Sequence, residues 1–144
     1  MHVVIARSEP GARAAFDIPR GDHLVLLDAL AAVAAEDPSV FFRFSCRSGF
    51  CGTCTVLLDG EPVLACQAPL PSEPSTLHVA PLGGFAVVKD LVVDPAPFAD
   101  RWAEVGPAVE VVDAEAFGNR EAIDASLDCI SCGACFAACD LSSL

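Results

Sequence analysis

The chain has 144 residues, 53% of them hydrophobic, enough for a real core in one domain or two small ones. Eight Lys and Arg stand against 20 Asp and Glu, a formal net charge of −12. That balance excludes a nucleic-acid binder, which needs positive charge to displace counterions. It permits a partner with a basic docking face, or serves solubility alone.

In chain order, residues 2–7 and 12–18 read as two short strands, and Pro10-Gly11 between them is a turn signal, so a hairpin is predicted. Residues 26–37 read as a helix with Leu27, Leu30, Ala31 and Ala34 on one apolar face, ended by Pro38. Residues 41–54 form a loop rich in Cys, Gly and Ser. Residues 55–66 then read as two strands around Asp59-Gly60, a strong hairpin signal. Pro69, Pro71 and Pro74 mark a surface excursion, and residues 77–82 read as a further strand. This order predicts an α+β half with a small mixed sheet.

The character changes near residues 92–96, where a domain boundary is placed, dividing the chain into 1–94 and 95–144. Beyond Pro95 and Pro97, FADRWAEV reads as an amphipathic helix with Phe98, Trp102 and Val105 on one face. Residues 119–128 read as another helix.

There are eight cysteines. Arg7, Glu9, Arg13 and Asp17 break up the first twenty residues, so no secretory hydrophobic region is read there. No apolar run approaches the ~18 residues that cross a bilayer. An intracellular setting follows, in which thiols stay reduced and clustered cysteines hold metal more often than disulfides. His2, His23 and His78 are scattered and are not read as ligands.

Cys46, Cys51, Cys54 and Cys66 follow the spacing x4, x2, x11, the plant-type pattern of a 2Fe–2S cluster. Three thiolates come from one tight loop. The fourth returns on the hairpin after Asp59-Gly60. Gly49 and Gly52 can take positive φ where the backbone passes close to the cluster, turning amides toward sulfur. A four-cysteine zinc site would use two short pairs, which this spacing does not supply. Arg47 can tune the cluster, meet an acidic partner, or be a solvated loop arginine.

Cys129, Cys132, Cys135 and Cys139 follow the bacterial-type run x2, x2, x3. In two-cluster proteins its fourth cysteine ligates the other cluster, so Cys129, Cys132 and Cys135 hold three corners of a 4Fe–4S cube whose last ligand this chain lacks. Metal binding is coupled to folding, so the residues after 106 are expected to be less ordered than those before.

FRFSCRSGFCGTCTVLLDGEPVLAC resembles the 2Fe–2S loop of the iron–sulfur subunit of succinate dehydrogenase and fumarate reductase. LLDAL, VVKDLVVD and CISCGACFAAC are similar to that family in the same order. The resemblance implies a β-grasp 2Fe–2S ferredoxin domain followed by a partial α-helical ferredoxin domain, in a C-terminally truncated chain. It implies 2Fe–2S at Cys46, Cys51, Cys54 and Cys66, an incomplete 4Fe–4S at Cys129, Cys132 and Cys135, and Cys139 belonging to a 3Fe–4S cluster largely lost here. It implies an oxidoreductase subunit passing single electrons between a succinate/fumarate flavoprotein and quinone at a membrane-anchor (cytochrome b) subunit. Its place would be cytoplasmic, peripheral on the inner face of the cell membrane through its partners, with no catalytic residue of its own. The alternatives are a stand-alone soluble 2Fe–2S ferredoxin and the small 2Fe–2S subunit of another oxidoreductase, such as a molybdenum hydroxylase. The contiguous second cysteine run argues against the last.

Overall fold

The computed structural model describes residues 1–19, 25–71, 75–105 and 128–139. The expected helix over 119–128 falls outside these residues except at its last position, and of the stretch beyond 106 only 128–139 lies within them.

The first strands are β1 (His2–Ala6) and β2 (Arg13–Asp17), paired antiparallel with Val4 opposite Ala15. Gly11 takes φ +79 in the turn between them, and the Arg7 amide closes the hairpin on Ala12 O at 2.9 Å. Helix α1 spans Leu26–Glu36. Its first turn is capped by the Asp28 carboxylate, which accepts the Val25 amide at 3.2 Å. The Asp37 amide donates to Val33 O at 2.8 Å, and Pro38 stops propagation there.

The buried face of α1 is Leu26, Leu27, Ala29, Leu30 and Val33, while Ala31 is exposed and Ala34 only half-buried. The expected stripe was therefore rotated. Leu26, Leu30 and Val33 repeat at i, i+4, i+7, and each removes more apolar area from water than an alanine does, so they turn inward first.

β3 (Thr55–Leu58) and β4 (Glu61–Leu64) form the second hairpin. Asp59 and Gly60 take φ +51 and +92, the pair of positive values that a tight turn matching the strand twist requires. β5 (Thr76–Ala80) runs parallel to β1 and antiparallel to β3, giving one mixed sheet in the order β2-β1-β5-β3-β4. Val3 and Ile5 on β1 and Leu77 and Val79 on β5 point to one face and are buried with Leu26, Leu30 and Val33 of α1. That sandwich of helix on sheet is the core.

A second, two-stranded sheet, β6 (Val87–Lys89) and β7 (Val92–Val93), was not foreseen as a hairpin. Its turn begins at Asp90, with φ +50 and a side chain only 1% exposed. The carboxylate accepts the Ser8 amide at 3.1 Å, the Ser8 hydroxyl at 3.0 Å and the Phe41 amide at 3.0 Å, and lies 3.2 Å from Arg7 Nε. A buried carboxylate requires such partners, and here they come from the turn that follows β1 and from the start of the cysteine loop.

Helix α2 spans Ala96–Val105, and the Asp94 carboxylate accepts the Ala96 amide at 3.0 Å. Phe98 packs as expected. The side chains of Trp102 and Val105 lie outside the described residues. One turn of helix, α3 (Ala134–Ala137), follows Gly133, which takes φ +76. Phe136 of α3, Phe98 of α2 and Phe85 form a triangle of rings with centroids 5.1, 5.9 and 6.1 Å apart, which seats the last segment on the rest. Among the described residues, no helix is long and apolar enough to cross a membrane.

Candidate iron–sulfur site

Residues 41–54 carry no helix or strand, so the loop is held at its ends. At the start, Phe41 donates to Asp90 and its carbonyl accepts the Leu91 amide at 3.1 Å, while Arg43 reaches Val93 O at 3.2 Å. At the end, the Thr55 hydroxyl donates to Gly52 O at 2.6 Å. Between these anchors the chain turns back on itself through three residues of positive φ: Arg47 (+57), Gly49 (+82) and Gly52 (+67). The two glycines behave as expected. Arg47 bears a cost of ~1–2 kcal/mol for this conformation, and its guanidinium rests 4.8 Å from the centroid of the Phe44 ring.

These turns gather amides on one sulfur. Ser48 N lies 3.5 Å from Cys46 Sγ, and the amides of Phe50 and Cys51 also point there. The donors to Cys46 are thus the amides of Ser48, Phe50 and Cys51, on either side of Gly49. The Ser48 amide, then the Cys51 thiol, lower the Cys46 thiol from its ordinary 9.0 to about 6, because both favour the thiolate.

Cys66 is delivered by β4 and fixed by α1. The amides of Leu26 and Leu27, free at the helix start, donate at 2.9 Å to the carbonyls of Ala68 and Ala65 on either side of Cys66. The Ala65 amide donates to Cys54 O at 3.1 Å, stitching the two cysteine segments together. Gln67 closes the opposite flank. Its Nε2 lies 3.8 Å from Cys66 Sγ, and a methyl group on Gly49 would stand 3.2 Å from its side chain.

The four thiols influence one another electrostatically: Cys46 is affected by Cys51, and Cys54 by Cys66 and by Cys51. Cys54 and Cys66 are buried, Cys46 and Cys51 half-buried, and none forms a disulfide. Burial pushes the Cys54 thiol up, partly opposed by the Cys66 amide. Among the described residues, no three Cys, His, Asp or Glu side chains crowd around a single point as one bound ion would require.

The family described as the 2Fe–2S iron–sulfur cluster binding domain matches residues 3–100. The chain belongs to this family. It is 35% identical over 125 residues to the mitochondrial succinate dehydrogenase [ubiquinone] iron–sulfur subunit 1 of Oryza sativa, covering 80% of this chain and 44% of that one. It is 29% identical over 144 residues to the fumarate reductase iron–sulfur subunit of Haemophilus influenzae, covering 86% and 56%. The chain therefore spans about half the length of the curated relatives it matches. Its fold matches a chain of the Mycobacterium smegmatis Sdh1 complex in the apo form, with a TM-score of 0.79 at 24% identity over 98% of this chain and 64% of that one.

The second cysteine set is less covered in this 2Fe–2S-family chain. Cys132 is half-buried, whereas Cys129, Cys135 and Cys139 are exposed, and among the described residues no hydrogen bond reaches their sulfurs. Ser131 and Gly133 take positive φ around Cys132, and Gly133 lies against the Phe85 ring. Cys51 and Gly52 of the first set and Cys132 of the second line one cleft of about 240 Å³, together with Thr53, Ser131 and Gly133. Sequence reasoning missed Asp90 and Gln67. Neither belongs to a metal-ligand pattern, and only the packing of remote segments gives them a role.

Proposed function

We propose that the chain is the electron-transfer subunit of a succinate dehydrogenase or fumarate reductase complex, holding a 2Fe–2S cluster through Cys46, Cys51, Cys54 and Cys66. The observation that carries this reading is the Ala65 amide bound to Cys54 O at 3.1 Å, which brings the segment of Cys66 to the loop of the other three cysteines, so that Cys54 feels both Cys66 and Cys51. Two irons completed by four thiolates ask for three cysteines on one loop and a fourth held beside it, and the amides aimed at Cys46 suit a thiolate ligand. When bound, the cluster takes up and gives up one electron at a time. The chain's own work is to hold the sulfurs, donate amides and keep water from Cys54 and Cys66. His2, whose ring lies 2.9 Å from the Asp17 carboxylate, is away from this work.

We extend the reading to the second cysteine set. Cys129, Cys132 and Cys135 would hold three corners of a 4Fe–4S cluster, and Cys139 would belong to a 3Fe–4S cluster, in a partial α-helical ferredoxin domain over 95–144 that follows a β-grasp domain over 1–94. The partners would be a flavoprotein subunit and membrane-anchor subunits that carry quinone, placing the chain on the inner face of the membrane. Sequence likeness to succinate dehydrogenase and fumarate reductase subunits supports this over the molybdenum-hydroxylase alternative.

The test is anaerobic reconstitution with iron and sulfide, followed by metal analysis and EPR of the reduced protein. A rhombic signal accounting for one 2Fe–2S cluster per chain is expected. Material that takes up zinc and no iron would refute the reading.

A further inference from the structure

Gln67 follows the fourth candidate ligand in the chain, and its backbone has little freedom. Its amide donates to Leu64 O at 2.8 Å and the Ala68 amide donates to the same oxygen at 3.0 Å, which closes a turn at the end of β4. The Leu26 amide of α1 then pins Ala68 O at 2.9 Å. From that turn the Gln67 side chain folds back over Cys66. Its Nε2 donates to Cys66 O at 2.9 Å and lies 3.8 Å from Cys66 Sγ, a reach that the larger sulfur atom allows. The carbonyl decides which way the amide faces. An oxygen that only accepts needs the NH2 group opposite it, and the second hydrogen of that group is left for the sulfur. The side chain also reaches the loop of the other three cysteines: a methyl group on Gly49 would meet Gln67 Cγ at 3.2 Å and Cδ at 3.3 Å.

Cys46 and Cys66 are served by different kinds of donor. The N–H groups aimed at Cys46 Sγ belong to the backbone of the loop, so no substitution of their side chains removes them. The N–H group beside Cys66 Sγ belongs to a side chain, so one residue sets it. Cys66 is only 6% exposed, and a donor acts more strongly on a sulfur that little water reaches. An N–H directed at a ligand sulfur stabilises added negative charge, which favours the reduced state of an iron–sulfur cluster.

We propose that Gln67 tunes the first cluster: its side-chain amide, held beside Cys66 Sγ, raises the reduction potential of the 2Fe–2S cluster bound by Cys46, Cys51, Cys54 and Cys66. The inference rests on the electron-transfer reading above. Gln67 is itself neither oxidised nor reduced and keeps both amide protons. It shifts only the balance between the two states of the cluster.

The test is an EPR-monitored redox titration, with dithionite as reductant, of the reconstituted full chain and two variants. Gln67→Leu keeps the bulk and removes the donor. Gln67→Glu keeps the shape, and its carboxylate cannot donate. In Gln67→Leu the equilibrium constant for reduction should fall about three- to tenfold, about 30–60 mV for a one-electron couple, with one cluster per chain retained. In Gln67→Glu it should fall further at low salt. The excess, which comes from the added charge, should shrink at high salt while the loss of the donor persists. That persistent fall decides the matter if Gln67→Leu does not load. A side chain that merely latches the turn would change the urea midpoint and leave the potential where it was. Native or higher potentials in the loaded variants overturn the tuning role and leave the electron-transfer reading standing. No 2Fe–2S signal from the native chain overturns both. Failure of both variants to load a cluster makes Gln67 a requirement for assembly and also overturns the tuning role.

Discussion

Gly52 of the first cysteine loop lies directly against Cys132 of the second set: a methyl group added at Gly52 would stand 2.7 Å from Cys132 Cα, 2.8 Å from its Cβ and 3.0 Å from Ile130 O. Two residues eighty positions apart approach so closely that only a hydrogen fits between them. Gly52 also takes φ +67, so two independent constraints ask for glycine at one position.

Gly52→Ala should therefore do more than strain a loop. The backbone at Cys132 has to retreat, and residues 128–139 should loosen from the first half. The expected cost is about 1–3 kcal/mol, the usual range for overpacking. Hydrogen exchange at the amides of 130–133 should quicken relative to the core strands. Unchanged exchange there, in a variant that folds, would show that the two segments are not in contact.

Asp90→Asn tests the anchor of the cysteine loop. The carboxylate meets Arg7 and accepts three hydrogen bonds from Ser8 and Phe41. Asparagine keeps the shape but presents an NH2 group to donors and leaves Arg7 with Asp37, at 3.4 Å, in place of two carboxylates. A loss of about 3 kcal/mol is expected from breaking such a pair, visible as a lower urea midpoint with little change in slope. A midpoint equal to that of the native chain would remove Asp90 from the account of how the loop is held.

Reconstitution should separate the two cysteine sets. Cys66→Ala removes the partner of Cys54 and should abolish the reduced 2Fe–2S signal. Cys129→Ala, in the segment that the aromatic triangle seats, should leave that signal intact. Equal loss in both variants would mean that the sets do not load independently.

Thiol reactivity in the metal-free protein should follow the local fields. The Cys46 pKa is lowered to about 6 from an ordinary 9.0, so its contribution to folding is complete above the unfolded value near 9 and is lost as pH falls through about 6. Alkylation at pH 7 should modify Cys46 first. Cys54, buried and shifted upward, should lag even at pH 9. Mass-spectrometric timing of iodoacetamide labelling decides this, and the reverse order would contradict the amide geometry around Cys46.

The sequence by itself determined the local events. Cys-x4-Cys-x2-Cys fixes which thiols share a loop, Asp59-Gly60 demands a turn of positive φ, and Pro38 cannot continue a helix, because each depends only on neighbours within a few bonds. Only the tertiary structure decided what depends on distant partners. The rotation of α1 toward Leu26, Leu30 and Val33 was set by the sheet it covers, and Asp90 became an anchor because Arg7, Ser8 and Phe41 converge on it. The fit of Gly52 under Cys132 is of the same kind: sequence spacing carries no measure of how closely two remote backbones approach, and close packing supplies one.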